Sequence, residues 1–304
     1  MLRNWFAVGI SKLKHSTLQM EAAPTTAQRL KLRLAHQNVS GADIKPSHLA
    51  HVYKRMTTIG SEADFSAIKP ILDALPKADV TACDVSGVIV ETRCHKNVAA
   101  VVSSYMSAVD MPVQFFHGRQ NGDFVKQEIP QAFHDRITFI ELPIDALSAN
   151  LYNALLLSPP FWDSLHSRKN ILVFQTDSIL CENSTRSISD FTSFDYIAAP
   201  WNRQRLTGIV ADGGCGGLSL RSWDVSVECL RRFPADDWVG GEDGYFAFHI
   251  EIMGGKVAGA AWCEKFATQI RFKANSWGVH KPENLKGAEL EAFLAYCPEA
   301  RILF

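Results

Sequence analysis

The stretch Ile171-Leu172-Val173-Phe174-Gln175-Thr176-Asp177-Ser178 is the part of the sequence that decides the fold. Its apolar first half indicates a strand buried on both faces, and the polar residues that follow indicate a loop beyond the carboxyl end of that strand. A carboxylate at this point, here Asp177, can hold a hard divalent cation that in turn binds two phosphate oxygens. Asp177 can equally cap the following segment, because Asp is favoured at such positions.

Short apolar runs alternate with helical patterns along most of the chain. This alternation predicts the α/β fold class, with an open and largely parallel sheet covered by helices on both faces. In such sheets, ligands bind beyond the carboxyl ends of the strands, near the point where the strand order reverses. The predicted strands are residues 88–90, 113–116, 137–142, 171–175 and 196–198, and the predicted helices are residues 97–108, 149–157 and 188–194.

The amino-terminal part of the chain has a helical pattern instead. Ser47 can cap a helix whose apolar residues recur on one face, and Pro70 is expected to kink or end the helix after it. Strand patterns begin only after Lys77. We therefore divide the chain into an N-terminal basic helical arm, residues 1–80, and a main domain, residues 81–304.

The net charge of −1 is unevenly distributed along the chain. Residues 1–56 contain nine Lys and Arg residues against Glu21 and Asp43, a net charge of +7, so the remainder has −8. Such an arm can lie on an anionic membrane or a polyanionic acceptor, but its dispersed charges and few aromatic residues argue against nucleic acid as a partner. A solvated helical surface explains the same pattern and is the simpler interpretation.

The composition is that of an ordinary globular protein, with 47% hydrophobic and 21% charged residues. The seven cysteines are scattered singly, without a Cys-x-x-Cys pair, which predicts neither a zinc ribbon nor a disulfide framework and favours a reducing compartment. The start of the chain, interrupted by Lys12 and Lys14, is too short and polar for an export signal, and no apolar run approaches the roughly 20 residues of a membrane-spanning helix. We expect a cytoplasmic protein whose basic arm can touch the inner face of a membrane.

Three further segments have the residue types of a ligand site. Between Asp212 and Ser222, four glycines surround Cys215, so the backbone can approach a diphosphate or sugar closely, although a tight bulged turn without a ligand explains them too. Glu242 and Asp243 follow two glycines at the start of a predicted helix, where one can act as a general base or both can simply stabilise the helix.

The last of these segments is Ser276-Trp277-Gly278-Val279-His280-Lys281-Pro282. The imidazole of His280 can complete the coordination of a cation held by Asp177, and the ammonium of Lys281 can reach a phosphate. Taken alone, a histidine in an apolar segment is equally a polar residue of the core. The metal site is predicted because the four segments occur together.

These segments, with Phe161-Trp162 and the stretch from Asp195 to Trp201, resemble a domain-of-unknown-function family regarded as glycosyltransferases of the GT-A type. The resemblance extends from about Val88 to Pro282. It implies a Rossmann-like domain that binds a nucleotide sugar, with Mn²⁺ or Mg²⁺ as the cofactor.

The resemblance also implies roles for individual residues. Asp177 matches the last acid of the family's Asp-x-Asp metal motif, Gln175 stands where its first acid would be, and His280 matches the late histidine that completes the metal shell. The acidic pair matches the acids that meet the acceptor, with Asp243 as the better candidate base and Glu242 beside it. The nucleotide and sugar contacts that it implies are Glu91, Arg93, Gln175, Thr176, Gly216, Gly217 and Lys281.

The predicted function is therefore transfer of a sugar from a nucleotide diphosphate donor to a hydroxyl group of an unknown glycan, lipid or protein. One alternative is a nucleotidyltransferase of related fold, which normally has a basic, glycine-rich loop early in the sheet, whereas residues 91–96 contain no glycine. Another is a non-catalytic module that binds nucleotides or glycans. The transferase prediction requires that Asp177 and His280 meet beside a glycine-lined cavity.

Overall fold

The computed structural model describes residues 23–56, 63–202 and 207–304, so the predictions for the first 22 residues lie outside the described part. Strands and helices alternate through most of the chain, which confirms the α/β class. The strands are β1 (Val85–Val90), β2 (Val113–His117), β3 (Ile137–Glu141), β4 (Asn170–Phe174), β5 (Ser178–Leu180), β6 (Tyr196–Ala199), β7 (Cys215–Ser222), β8 (Ala267–Thr268) and β9 (Gly278–His280).

Eleven α-helices are formed by the described residues. Their order along the chain is α1 (Thr26–Ala35), α2 (Pro46–Tyr53), α3 (Lys69–Asp73), α4 (Val98–Ala108), α5 (Gly122–Glu128), α6 (Ala149–Leu156), α7 (Pro159–Asp163), α8 (Trp223–Arg232), α9 (Glu242–Met253), α10 (Ala260–Phe266) and α11 (Gly287–Tyr296). None of them is long and apolar enough to cross a membrane.

Six strands form the main sheet in the order β3-β2-β1-β4-β7-β6. The four strands from β3 to β4 are parallel to one another, and β7 runs antiparallel to its neighbours β4 and β6, which makes the sheet mixed but mostly parallel. Helices cover both faces, so every residue of β1, β2 and β6 is buried. The strand order reverses between β1 and β4, and the carboxyl ends of these two strands therefore flank the place where such sheets bind ligands.

A small second sheet has the order β5-β9-β8 and begins immediately after β4. Strand β5 pairs antiparallel with β9, and Ser178 lies opposite His280 in this register. Because β5 starts one residue after Asp177, this pairing brings the late histidine next to the end of β4. The pairing of β5 with β9 thus brings together residues that lie about one hundred positions apart in the sequence.

The described part of the amino-terminal arm is helical and packs on the main domain. Leu30 of α1 and Leu49 of α2 belong to the same buried apolar cluster as Trp162 and Phe246. The hydroxyl of Tyr53, at the end of α2, donates a hydrogen bond of 2.7 Å to Nε2 of His249 in α9. The arm shares the core of the main domain, and the division at residue 80 stays a prediction.

Three local predictions are wrong. Pro70 lies in the first turn of α3, where its fixed φ suits the start of a helix, instead of ending a helix. Helix α2 likewise starts at Pro46, so Ser47 is inside the helix and does not cap it. Residues 188–194 form a 3-10 turn, Ile188–Asp190, and a further turn from Phe191 to Phe194 instead of an α-helix, because their backbone hydrogen bonds join residues three apart and not four.

Candidate functional site

A cavity of about 510 Å³ lies beyond the carboxyl ends of β1 and β4, at the reversal of strand order. All but one of the predicted site residues line it. The remaining one, His280, is fully buried directly behind the backbone of Gly217. The predicted residues at the cavity wall are Glu91, Arg93, Gln175, Thr176, Asp177, Gly216, Gly217, Glu242, Asp243 and Lys281.

Asp177 and His280 meet at the floor of this cavity, with Oδ1 of the carboxylate 3.2 Å from Nε2 of the imidazole. Nδ1 of His280 donates a hydrogen bond of 2.9 Å to the side-chain oxygen of Gln269, which leaves the lone pair of Nε2 directed at Asp177. Within the part of the chain that the structure describes, neither Oδ1 nor Nε2 has a hydrogen-bond partner in proper geometry. Two buried acceptors at this distance repel each other unless a positive charge lies between them.

A proton or a metal cation can supply that charge. Burial lowers the pKa of His280, but the neighbouring Asp177 and Cys215 outweigh it and raise the pKa to about 9. Burial raises the pKa of the Asp177 carboxyl, and His280 and Lys281 more than reverse this and lower it. The pair therefore attracts positive charge, and one carboxylate oxygen with one imidazole nitrogen is a donor set that fits a divalent cation.

The glycines beside this pair have a structural reason for being there. A Cβ atom on Gly217 would lie 2.2 Å from Nε2 of His280, and one on Gly216 would lie 1.9 Å from Oε1 of Glu242. Gly213 and Gly214 adopt φ values of +104° and +97°, which L side chains rarely tolerate. The loop is thus a tight turn into β7 that makes room for the side chains of His280 and Glu242. Its contact with a diphosphate or sugar stays a prediction.

The two acids at the start of α9 have different surroundings. Both oxygens of Glu242 accept from the guanidinium of Arg221, at 2.5 and 3.0 Å, in an ion pair that is almost completely buried. Asp243 accepts from the backbone N–H of Gly244 at 2.6 Å and more weakly from that of Gly216 at 3.4 Å. Glu242 therefore holds β7 against α9, whereas the carboxylate of Asp243 lies on the cavity wall against the backbone N–H groups of Gly244 and Gly216.

The residues that follow β1 form another wall of the same cavity. Glu91 accepts from the side chain of Arg93 at 2.7 and 2.8 Å and from the hydroxyl of Thr176 at 3.0 Å. Burial raises the pKa of Glu91, but its bonds to Arg93 and Thr176 lower it overall. The carboxylate of Glu91 ties the ends of β1 and β4 together, and the guanidinium of Arg93 is exposed at this wall.

Sequence reasoning missed several residues of the cavity. Tyr152 and Asn153 of α6 line it, and Asn153 accepts a 3.0 Å hydrogen bond from the backbone N–H of Glu242. The helix was predicted, but nothing in the periodicity distinguishes side chains that face the cavity from those that face the core. Arg221 lies in the segment between Asp212 and Ser222, but its role is missed because the ion-pair partner of a strand residue is not visible in sequence.

A second cavity, of about 340 Å³, lies between α1, α2 and the segment from Thr207 to Ile209. Three arginines of the basic arm line it: Arg29, Arg33 and Arg55. These side chains are largely exposed, which is compatible with both interpretations of the arm. Contact with a membrane stays a prediction.

The sequence between residues 136 and 280 matches a family model described as "Protein of unknown function (DUF5672)". The matched segment is slightly less than half of the chain, begins just before β3 and ends at His280. It contains Asp177, the glycine turn and the acidic pair. No curated protein sequence matches the chain.

Two solved structures illustrate the structural likeness. A protein assigned as a glucose-1-phosphate thymidylyltransferase from Bacillus anthracis, in complex with sucrose, has a TM-score of 0.34 and 11% identity, with 55% of this chain and 83% of that chain covered. The mannosyltransferase PcManGT from Pyrobaculum calidifontis, in complex with GDP-Man and Mn²⁺, has a TM-score of 0.40 and 11% identity, with 76% of this chain and 65% of that chain covered. This chain thus matches less than two thirds of the mannosyltransferase.

Proposed function

We propose that the protein is a metal-dependent glycosyltransferase of the GT-A type, which transfers a sugar from a nucleotide diphosphate to a hydroxyl acceptor. The proposal rests mainly on one observation: two buried acceptors, Asp177 Oδ1 and His280 Nε2, face each other at 3.2 Å on the floor of the cavity at the strand reversal. Such a pair is suited to a divalent cation beside a diphosphate, and this edge of an α/β sheet is where nucleotides bind.

Asp177 and His280 would hold Mn²⁺ or Mg²⁺. When bound, the cation neutralises the charge that develops on the departing diphosphate. The hydrogen bond from His280 to Gln269 fixes the ring so that Nε2 points into the site. The ammonium of Lys281, on the cavity wall, adds a second positive charge for the phosphates.

Asp243 is the proposed general base. It lies on the cavity wall, in the first turn of α9. In a single displacement, the proton of the acceptor hydroxyl moves to an Asp243 carboxylate oxygen while the acceptor oxygen bonds to the anomeric carbon and the diphosphate leaves. Glu242 does not compete for this role because Arg221 occupies both of its oxygens.

The test is the substitution Asp177→Ala, with Asp135→Ala as a matched control. Asp135 is an exposed acid in the turn that precedes β3, at the opposite edge of the sheet. We expect Asp177→Ala to abolish both transfer from nucleotide sugars and the Mn²⁺-dependent part of nucleotide binding in calorimetry, while its circular dichroism stays unchanged. The control should behave like the wild type, and unchanged transfer by Asp177→Ala would refute the proposal.

A further inference from the structure

A second group of possible metal ligands lies at the far end of the small sheet. Cys181 follows β5 directly, Cys297 ends α11, and Glu299 belongs to the final 3-10 turn, Pro298–Leu303. One ligand atom from each of the three side chains lies within 4.8 Å of the other two. In sequence these cysteines are widely separated and look like isolated thiols, so only the fold reveals the cluster.

The side chains of the cluster are held in place by burial and hydrogen bonds. Both cysteines are buried, and the thiol of Cys297 donates a hydrogen bond of 3.1 Å to Oε1 of Glu299. The same oxygen also accepts the backbone N–H of Glu182 at 2.6 Å, which orients the carboxylate. On one side, Cys181 and Glu299 line a cavity of about 670 Å³ that also contains Arg186.

The donor atoms select the type of cation. Two sulfur atoms and one carboxylate oxygen suit zinc, which binds thiolates at about 2.3 Å and carboxylates at about 2.0–2.2 Å in a tetrahedron. The hard cations Mg²⁺ and Mn²⁺ prefer oxygen and would bind Asp177 better than these thiols. Three protein ligands leave a fourth position, and the cavity beside Cys181 and Glu299 gives water access to it.

We propose that Cys181, Cys297 and Glu299 bind one zinc ion, with water as the fourth ligand. On binding, the two sulfur atoms bond to the cation as thiolates and their two protons leave to the solvent. This site is separate from the metal site proposed for Asp177 and His280, and it does not depend on the proposed transferase activity.

The zinc would act as a clamp between the carboxyl terminus and the small sheet. Cys181 directly follows β5, and β5 pairs with β9. Leu180 pairs with Gly278 at the end of the pairing near Cys181, and Ser178 pairs with His280 at the other end. A second contact already joins the same parts, because the side-chain amide of Asn183 donates to the carbonyl of Tyr296 at 2.7 Å. A cation at Cys181 would therefore hold α11 against the strand pair whose other end positions His280.

The experiment is a titration of the full, reduced chain with ZnCl₂ after treatment with a chelator. With a chromophoric chelator as competitor, we expect one tight equivalent of zinc, two protons released, and a thiolate-to-metal absorption band when Co²⁺ replaces zinc. Cys297→Ser should lower the intensity of the band by about half, because only the thiolate of Cys181 remains, and should weaken zinc binding by at least about 10-fold. Cys94→Ser, at an exposed cysteine outside the cluster, is the matched control and should bind zinc like the wild type.

Two more variants keep the test decisive. If Cys297→Ser does not fold, Glu299→Gln removes a half-exposed ligand and should weaken zinc binding by about 10-fold or more. Asp177→Ala should leave the zinc equivalent intact. The proposal would be overturned if no tight equivalent of zinc binds, or if Cys297→Ser binds zinc as tightly as the wild type. It would also be overturned if the purified chain contains a Cys181–Cys297 disulfide and its reduction restores no zinc binding.

Discussion

Gly217 is the residue at which the backbone comes closest to the proposed metal ligands. Since a Cβ atom here would lie 2.2 Å from His280 Nε2 and 2.6 Å from Gln175 Oε1, Gly217→Ala should push the imidazole away from Asp177. We expect metal-dependent nucleotide binding to weaken by about 10- to 100-fold, with an overpacking cost of about 1–3 kcal/mol. Calorimetry with and without Mn²⁺ measures the first effect and urea unfolding the second.

Gly259→Ala is the matched control for this substitution. The nearest atom to a Cβ at Gly259 is an Asp212 oxygen at 4.0 Å, so the methyl group is accommodated without displacement of a neighbour. Nucleotide binding by this variant should equal that of the wild type. If Gly217→Ala also binds normally, His280 has no part in holding the cation.

The adjacent acids Glu242 and Asp243 should respond oppositely to amide substitution. Glu242→Gln leaves the buried guanidinium of Arg221 without its counter-charge, and we expect it to destabilise the fold by about 3–5 kcal/mol. Asp243→Asn should lower the rate of transfer by at least about 100-fold, because an amide cannot take up the proton of the acceptor hydroxyl. Urea unfolding and initial rates with a nucleotide sugar separate the two effects, and a full rate for Asp243→Asn would remove it as the base.

At the level of residues, sequence could place Asp177, Gln175 and Thr176 because residues that follow a buried strand are forced to one edge of the sheet. It could also propose His280 as the second metal ligand, but only because four polar segments occur together and because the family resemblance includes a late histidine. The pairing of Glu242 with Arg221 was out of reach, because it depends on how α9 crosses β7. The reason for Gly216 and Gly217 was likewise invisible, since it lies in side chains that pack against them.

At the level of elements, α2 and α9 are joined through a buried histidine, and this contact makes stability depend on pH. Burial lowers the pKa of His249 to about 3, only partly opposed by its bond to the carbonyl of Tyr245. In the unfolded chain a histidine has a pKa near 6.5, so unfolding takes up a proton below that pH. The contribution of His249 to the free energy of unfolding is fully present above pH 6.5. It decreases as the pH falls below 6.5, by up to about 1.4 kcal/mol per pH unit.

Unfolding of His249→Gln should therefore take up fewer protons than unfolding of the wild type below pH 6.5, and the difference should approach about one proton at pH 5. The measurement is urea unfolding of both proteins at several pH values, in which the other titrating groups cancel from the comparison. Tyr53→Phe is a useful companion, because it removes the hydroxyl bonded to His249 while it keeps the histidine. Equal pH slopes for His249→Gln and the wild type would contradict the assignment.

Elements with long apolar runs were predictable, and those decided by a single turn were not. The runs in β1 and β4 are fully buried, so hydrophobicity alone locates them. Residues 188–194 have the spacing of a helix, yet their backbone hydrogen bonds join residues three apart, so the segment forms two short turns and no α-helix. Strands β5, β8 and β9 are two or three residues long, too short for any periodicity.

At the level of the whole molecule, a ligand specific to the folded state should raise the temperature of unfolding. We expect a nucleotide sugar with Mn²⁺ to stabilise the protein by about 2.7 kcal/mol at a concentration one hundred times its dissociation constant. Differential scanning calorimetry across a panel of nucleotide sugars, with Mn²⁺ or with a chelator, would identify the donor. Stabilisation that persists in the chelator would favour a binding module over the proposed transferase.

Gly216, Arg221 and Glu242 together constrain how this sequence can drift in evolution. A Cβ atom at Gly216 would strike both partners of the ion pair, at 1.9 Å from the carboxylate and 2.7 Å from the guanidinium. Loss of either charge leaves the other charge buried without its partner. A side chain at Gly216 displaces both members of the ion pair, so we expect no neutral single substitution at these three positions. Lineages that keep this cavity should retain all three residues together or replace them as a set.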